Sequence, residues 1–219
     1  MPGQRSRRQP GTALTQHAGR SAPNSVQEET STAKKARLRQ EISAELQKLS
    51  PAQRVSDSRA VSDRLRCQRI WTEARSVLLY APLGEEVDIW GLVQESIETG
   101  RVTALPRFDR RRGVYRACRV QDLQRDIAVG HFGIREPNQE CLEISLNQLD
   151  LILVPGVGFD ESGRRLGRGK GYYDRLLAGA RGTKCGLAFD CQWVNEIPAE
   201  PHDVKLDCIM TPSRWWIVV

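Results

Sequence analysis

Apolar residues recur at helical spacing over residues 34–49, where Leu38, Ile42, Leu46 and Leu49 share one face and Lys35, Arg39 and Gln40 fall elsewhere around the cylinder. This predicts a helix. Ser50-Pro51-Ala52-Gln53 has the form of a capping box with proline at the first helical position, so a second helix is expected to about Cys67, forming a hairpin with the first. Ser76-Val77-Leu78-Leu79-Tyr80 is a short apolar run of the buried-strand type. Val87, Trp90, Leu92, Val93 and Ile97 then give residues 85–97 a helical pattern, and residues 101–106 read as another strand. A strand, a helix and a strand in succession have the form of a right-handed crossover and point to a mainly parallel sheet. Residues 114–120 alternate more weakly, as an edge strand does. Residues 121–148 are a variable stretch in which Gly133-Ile134-Arg135-Glu136-Pro137 resembles a turn. The strongest strand is Asp150-Leu151-Ile152-Leu153-Val154, closed by Pro155-Gly156. A helix over 172–180 and strands over 184–189, 207–211 and 215–219 complete an α/β domain around one sheet, without internal repeats.

Composition narrows the classes. The chain has 219 residues, enough for one domain with a tail, and no apolar run approaches the ~20 residues that a spanning helix needs. Six cysteines form no Cys-x-x-Cys pair and there are three histidines, so neither a zinc ribbon nor a disulfide scaffold is supported. Free thiols in a reducing cytoplasm fit best. The net charge of +6 is uneven, since the first 27 residues hold Arg5, Arg7, Arg8 and Arg20 with no acidic residue. That segment is rich in Gly, Pro, Ser, Gln and Thr, and residues 1–32 are expected to be a disordered basic tail ahead of a single domain at 33–219. An organelle transit peptide is the competing reading. Glycine and proline interrupt any amphipathic helix there, and no apolar core of a secretory signal is present.

The stretch that carries chemistry runs from Pro155 to Asp174, between a buried strand and a helix. Gly156, Gly158, Gly163, Gly167, Gly169 and Gly171 interleave with Arg164, Arg165, Arg168 and Lys170. Glycine admits a ligand close to the backbone, a helix start offers free N–H groups, and the cations neutralise phosphate. Such a loop suits a polyphosphate. It is neither common fingerprint: Arg164-Arg165 stands where a Walker loop needs Lys-Ser/Thr, and Gly167-x-Gly169-x-Gly171 is not Gly-x-Gly-x-x-Gly. The alternative is a flexible connection with solvated cations. By the same bland logic Lys35 and Arg39 are solvated charges four apart on one face, Glu86 is a first-turn helix acid, and Asp174 is a helix-start residue.

The run Arg165-Leu166-Gly167-Arg168-Gly169-Lys170-Gly171-Tyr172-Tyr173-Asp174, preceded by Pro155-Gly156-Val157-Gly158-Phe159-Asp160, resembles the signature of the 5-formyltetrahydrofolate cyclo-ligase family, also called 5,10-methenyltetrahydrofolate synthetase. Three further elements follow the family order: Lys35-Ala36-Arg37-Leu38-Arg39, Glu85-Glu86-Val87-Asp88, and His202-Asp203-Val204-Lys205-Leu206-Asp207. The similarity extends through most of residues 33–211. It implies a three-layer αβα fold with a mainly parallel sheet, like that of the NagB/RpiA/CoA-transferase group. It also implies an enzyme that turns ATP and 5-formyltetrahydrofolate into ADP, phosphate and 5,10-methenyltetrahydrofolate with Mg²⁺.

By the same resemblance ATP is bound by Lys35, Arg39, Arg165, Leu166, Gly167, Arg168, Gly169, Lys170, Gly171, Tyr172 and Tyr173, and the folate by Glu86, Arg168, Gly169, Lys170, Gly171 and Tyr172. Arg168 and Lys170 are assigned the catalytic charge-neutralising role, and Asp174 and Asp203 hold the metal. Two alternatives are a paralogue that keeps the ATP loop but takes another substrate, and a basic nucleic-acid-binding protein. The pterin-contacting Glu86 argues against the first. The second lacks a basic stripe with interleaved aromatics. A cytoplasmic monomer without nucleic-acid or membrane partners is therefore expected.

Overall fold

The computed structural model describes residues 29–219. Helix α1 (Ser31–Lys48) starts where the Thr30 hydroxyl accepts the Ala33 N–H, and it buries Ile42 and Leu46. Ser31 and Thr32 are thus helical, ahead of the expected domain start at 33; residues 1–28 of the expected tail lie outside the described residues. Helix α2 (Pro51–Arg66) has its Gln53 N–H on the Ser50 hydroxyl. The reciprocal bond of a capping box is not made, because the Gln53 amide donates to Asp57 one turn on. Arg54 reaches back across the turn and donates to the Leu46 carbonyl, joining the two helices.

After α3 (Arg69–Thr72) and β1 (Ser76–Leu78), helix α4 covers Trp90–Glu98 rather than starting at 85. Residues 85–89 are loop, because Glu86 accepts the Leu83 N–H and Asp88 accepts the Trp90 N–H, and side chains so engaged offer the backbone an alternative to helix. β2 (Val102–Asp109) and β3 (Val114–Val120) form a hairpin. The 121–148 stretch holds α5 (Leu123–Asp126), β4 (Ile127–Val129) and β5 (Arg135–Pro137), the two strands paired antiparallel. The turn expected at 133–137 is therefore largely a strand. Next come β6 (Leu151–Val154), then β7 (Gly158–Phe159) and β8 (Arg165–Leu166), a small hairpin inside the glycine-rich stretch. Helix α6 (Tyr172–Leu177) ends three residues before the expected Ala180. β9 (Thr183–Leu187), β10 (Cys208–Met210) and β11 (Trp215–Ile217) close the chain.

One seven-stranded sheet results, in the order β11-β10-β9-β6-β1-β2-β3. Pairing is parallel from β10 through to β2 and antiparallel at the two edges, β11 and β3. Strand residues alternate between two cores: Val77, Leu151, Leu153 and Cys185 pack with α1, α2 and α4, while Leu78, Ile152, Val154 and Ile209 pack with Leu176 and Leu177 of α6. The sheet is covered on both faces, as its continuous apolar strands require. All six cysteines are free thiols. Among the described residues no helix is long and apolar enough to cross a membrane.

Candidate active site

The chain leaves β1 toward β2 on one side and β6 toward β9 on the other, so the strand order reverses between β1 and β6. At such a switch point the loops beyond the carboxyl ends diverge and leave a crevice. A cavity of about 690 Å³ lies there, lined by Ala81, Leu83 and Glu86 after β1, Pro155 after β6, Pro106 of β2, and the whole of Arg165 to Asp174. Lys35 and Arg39 of α1 line it as well, together with Glu200, His202 and Asp203. Residues from well-separated stretches of sequence therefore face one space.

The loop conformation depends on glycine at particular places. Gly169 and Gly171 have φ of +94° and +61°, a region that a side chain disfavours, and Gly171 starts α6. At Gly158 a Cβ would meet Ile42 Cδ1 at 2.6 Å, so its absence lets α1 press against β7. The base of the loop is braced by Asp160, which is 1% exposed. Its Oδ1 accepts the Ser162 and Arg164 N–H groups at 3.0 Å each, and its Oδ2 accepts the Ile197 N–H at 2.8 Å. Gln192, equally buried, donates to the Gly156 and Val157 carbonyls.

The expected cations do not all reach the cavity. Arg164 turns away, donating to the Ile197 carbonyl and lying 3.4 Å from Glu196, so its charge serves the fold. Arg165 is buried and paired with Asp174 at 2.9 Å, with its guanidinium 5.6 Å from the centre of the Tyr173 ring. Arg39 Nε donates to the Gly167 carbonyl at 2.8 Å, tying α1 to the loop. Lys35 Nζ lies 2.9 Å from Asp203 and 3.4 Å from Glu200. Arg168, half exposed, lies 3.5 Å from Glu86 and 3.6 Å from Glu85. Lys170 is exposed and has no ion-pair partner among the described residues. Leu166 is buried on the cavity wall and Gly167 sits between Arg165 and Arg39.

Two carboxyls are shifted in opposite directions. Burial raises the Glu86 pKa, and the Leu83 N–H and the Arg168 charge only partly offset it. For Asp203 burial also pushes upward, but the hydrogen bonds from Lys35 and the Glu200 N–H, with the charges of Lys35 and His202, outweigh it and hold the pKa below the ordinary value. Burial also keeps the Tyr173 hydroxyl protonated well beyond its usual range.

The sequence did not single out the far end of the cavity. Tyr115, Ile134, Glu136 and Pro106 line it beside Tyr172. Tyr172 meets Tyr115 at 5.6 Å and Phe108 at 5.1 Å, ring centre to ring centre, and His131 stacks on Phe108 at 5.0 Å. Glu136 is buried and accepts the Phe108 and His131 N–H groups at 3.0 Å each, which fastens the 130–134 loop to β2. Alternation in β3 was the available signal for Tyr115; nothing local marked Glu136.

A switch-point crevice lined by a glycine loop, cations and carboxylates defines an α/β enzyme class that handles anionic substrates. The chain matches the 5-formyltetrahydrofolate cyclo-ligase family model over residues 31–212, and it belongs to that family. It is 37% identical over 152 residues to a 5-formyltetrahydrofolate cyclo-ligase of Mycolicibacterium smegmatis, covering 64% of this chain and 75% of that one. With the Escherichia coli K12 cyclo-ligase it shares 29% over 176 residues, 77% of this chain and 94% of the relative. Its fold is similar to the solved structure of the Aquifex aeolicus 5,10-methenyltetrahydrofolate synthetase, with a TM-score of 0.76 and 33% identity over 84% of this chain and 92% of that one.

Proposed function

We propose that the chain converts 5-formyltetrahydrofolate into 5,10-methenyltetrahydrofolate at the expense of ATP with Mg²⁺, releasing ADP and phosphate, in the cytoplasm. The observation that supports this most directly is the convergence of Lys35, Arg39, Glu86, Arg168, Lys170, Tyr172, Asp174 and Asp203 on one cavity from four separated stretches of chain. A formamide carbonyl is a poor electrophile. Transfer of the γ-phosphoryl group to the formyl oxygen gives an iminium phosphate, N10 attacks the activated carbon and loses its proton, and phosphate departs with the oxygen. Such chemistry depends on in-line positioning and on neutralising charge as the phosphoryl group moves.

Lys170, exposed and without an ion-pair partner among the described residues, can turn onto the phosphates, and Arg168, half exposed and 3.5 Å or more from Glu86 and Glu85, can exchange those carboxylates for phosphate oxygens. Gly167, Gly169 and Gly171 let the phosphates approach the backbone, between Leu166 and Tyr173. Lys35 and Arg39 close over the nucleotide from α1, and Arg165 is a fixed charge beneath it. Glu86 accepts N–H donors from the pterin, and Tyr172 faces the folate side.

The donors present fit a hard cation. Asp174 uses Oδ1 for Arg165 and Asp203 uses Oδ2 for Lys35, so Asp174 Oδ2 and Asp203 Oδ1, the latter 3.8 Å from His202 Nε2, are the oxygens that would take the cation. Atoms of Glu200, His202 and Asp203 lie within 4.8 Å of one another. When bound, Mg²⁺ supplies neutralisation of the phosphate oxygens. The test mixes the purified protein with 5-formyltetrahydrofolate and MgATP and follows the near-ultraviolet absorbance of the methenyl product. Absence of that signal, with ATP unconsumed, defeats the reading.

A further inference from the structure

The aromatic end of the cavity lies beside the tip of the β2–β3 hairpin, where Arg110, Arg111 and Arg112 are consecutive and exposed. Asp109 builds the turn there: its Oδ1 accepts the Arg111 and Arg112 N–H groups at 2.9 and 3.2 Å, and its Oδ2 is 3.9 Å from Arg112 Nε. Arg110 and Arg111 have no ion-pair partner among the described residues. A third cation reaches the same place from α6. The Arg175 guanidinium lies 5.1 Å from the Tyr172 ring centre, and its Nη2 is 3.4 Å from the Gly113 carbonyl at the hairpin tip. Tyr172 lines the cavity, so Arg175 links the cavity wall directly to the hairpin. The nucleotide anchors Lys35 and Arg39 belong to α1, a different element. Like charges gathered at one rim repel unless an anion joins them, and here the side chains leave that anion to be supplied from outside.

We propose that Arg110, Arg111 and Arg175 form a subsite for the carboxylates at the glutamate end of the folate substrate. The inference rests on the cyclo-ligase reading above. A folate is a planar ring system joined through an aromatic amide to a glutamate with two carboxylates. Its rings suit the wall of Tyr115 and Tyr172, which Phe108 backs, and Arg175 joins Tyr172 to the hairpin tip. Guanidinium groups bind carboxylates in a bidentate manner, which sets orientation as well as affinity. These cations lie outside the reacting centre, so they contribute to binding and encounter and leave the chemical step alone.

The test is calorimetric binding of two ligands, 5-formyltetrahydrofolate and 5-formyltetrahydropteroate, which lacks the glutamate. The wild-type protein is expected to prefer the first by about tenfold, the scale of a few exposed ion pairs acting together. The triple variant Arg110→Ala/Arg111→Ala/Arg175→Gln is expected to bring the two affinities within about twofold of each other, with the pteroate affinity unchanged. The double variant Arg110→Ala/Arg111→Ala leaves Arg175 on Tyr172, and it should lose about half of the preference in logarithmic terms. Equal wild-type affinities, or equal weakening of both ligands in the variants, would overturn the subsite. Turnover of 5-formyltetrahydrofolate by the wild type separates the two readings: with turnover but no preference, only the subsite fails. With neither binding nor turnover, the cyclo-ligase reading fails first and takes the subsite with it.

Discussion

At the α1 end of the cavity the cations are already engaged within the protein, Lys35 with Asp203, Arg165 with Asp174, and Arg39 with the Gly167 carbonyl. At the aromatic end Phe108, Tyr115, His131 and Tyr172 meet ring to ring, the Glu136 carboxylate is spent on two backbone N–H groups, and Arg175 lies against Tyr172 at the rim. The first arrangement holds its cations in place, Arg168 lies against Glu86 and Glu85, and Lys170 has no ion-pair partner among the described residues. The second presents an aromatic wall of mostly edge-to-face rings, fastened at its loop by one buried carboxylate. Paired charges and ring contacts thus hold the two ends of one cavity by different physics, and substitutions can address them separately.

The largest effect is expected at the phosphate side. Lys170→Ala should lower kcat by roughly 10²-fold, the scale of losing one donor to the developing charge, with little change in Tm because an exposed loop cation buries little apolar surface. A fall in Tm that parallels the loss of activity would contradict this. Asp160→Ala tests the brace below the loop: three backbone N–H groups lose their acceptor in a buried site, and destabilisation of about 3 kcal/mol is expected from denaturant unfolding. A loss under about 1 kcal/mol would mean that water replaces the carboxylate.

Smaller effects probe the ring side. Glu136→Gln leaves one N–H facing an amide donor, and it should raise the folate KM by about five- to tenfold, consistent with one lost hydrogen bond, while the ATP KM stays within about twofold. Equal changes in both KM values would remove the distinction between the two ends. Glu86→Gln addresses the border between them. The Glu86 pKa is raised by burial, so the folded state binds this proton more tightly than the unfolded chain, and ionised Glu86 costs stability at neutral pH. The glutamine variant should therefore melt at the same or a higher temperature and bind folate about tenfold more weakly, the cost of one charged hydrogen bond. The acid limb of its kcat/KM profile, expected in the wild type above the ordinary Glu value of about 4.3, should disappear. An unchanged acid limb would assign the titration elsewhere. The smallest effect is expected from Arg37→Ala, whose ion pairs with Glu29 and Glu41 are exposed and should change stability by less than about 0.5 kcal/mol.

The main strands and both long helices could be read from the sequence because each carries its own period: Leu38, Ile42 and Leu46 along α1, and the unbroken apolar run of β6. The elements whose local pattern does not match their structure are those held by side chains from elsewhere. Residues 85–89 carry apolar positions at helical spacing but form a loop around Glu86 and Asp88. β4 and β5 are three residues each, too short to show an alternation, and they are positioned by Glu136 reaching Phe108, 28 residues back in the chain. Arg164 and Arg165 are adjacent in sequence and indistinguishable there, yet one turns to Glu196 and the other to Asp174.

The sequence by itself determined the parallel sheet, the glycine loop and its cations, and the family, because apolar periodicity and local glycine spacing are properties of contiguous residues. Only the tertiary structure decided which cations reach the cavity, where its aromatic wall stands, and that the hairpin tip adjoins it. Those depend on contacts between residues far apart in the chain, which burial and pairing energies select once the sheet order brings the loops to one edge.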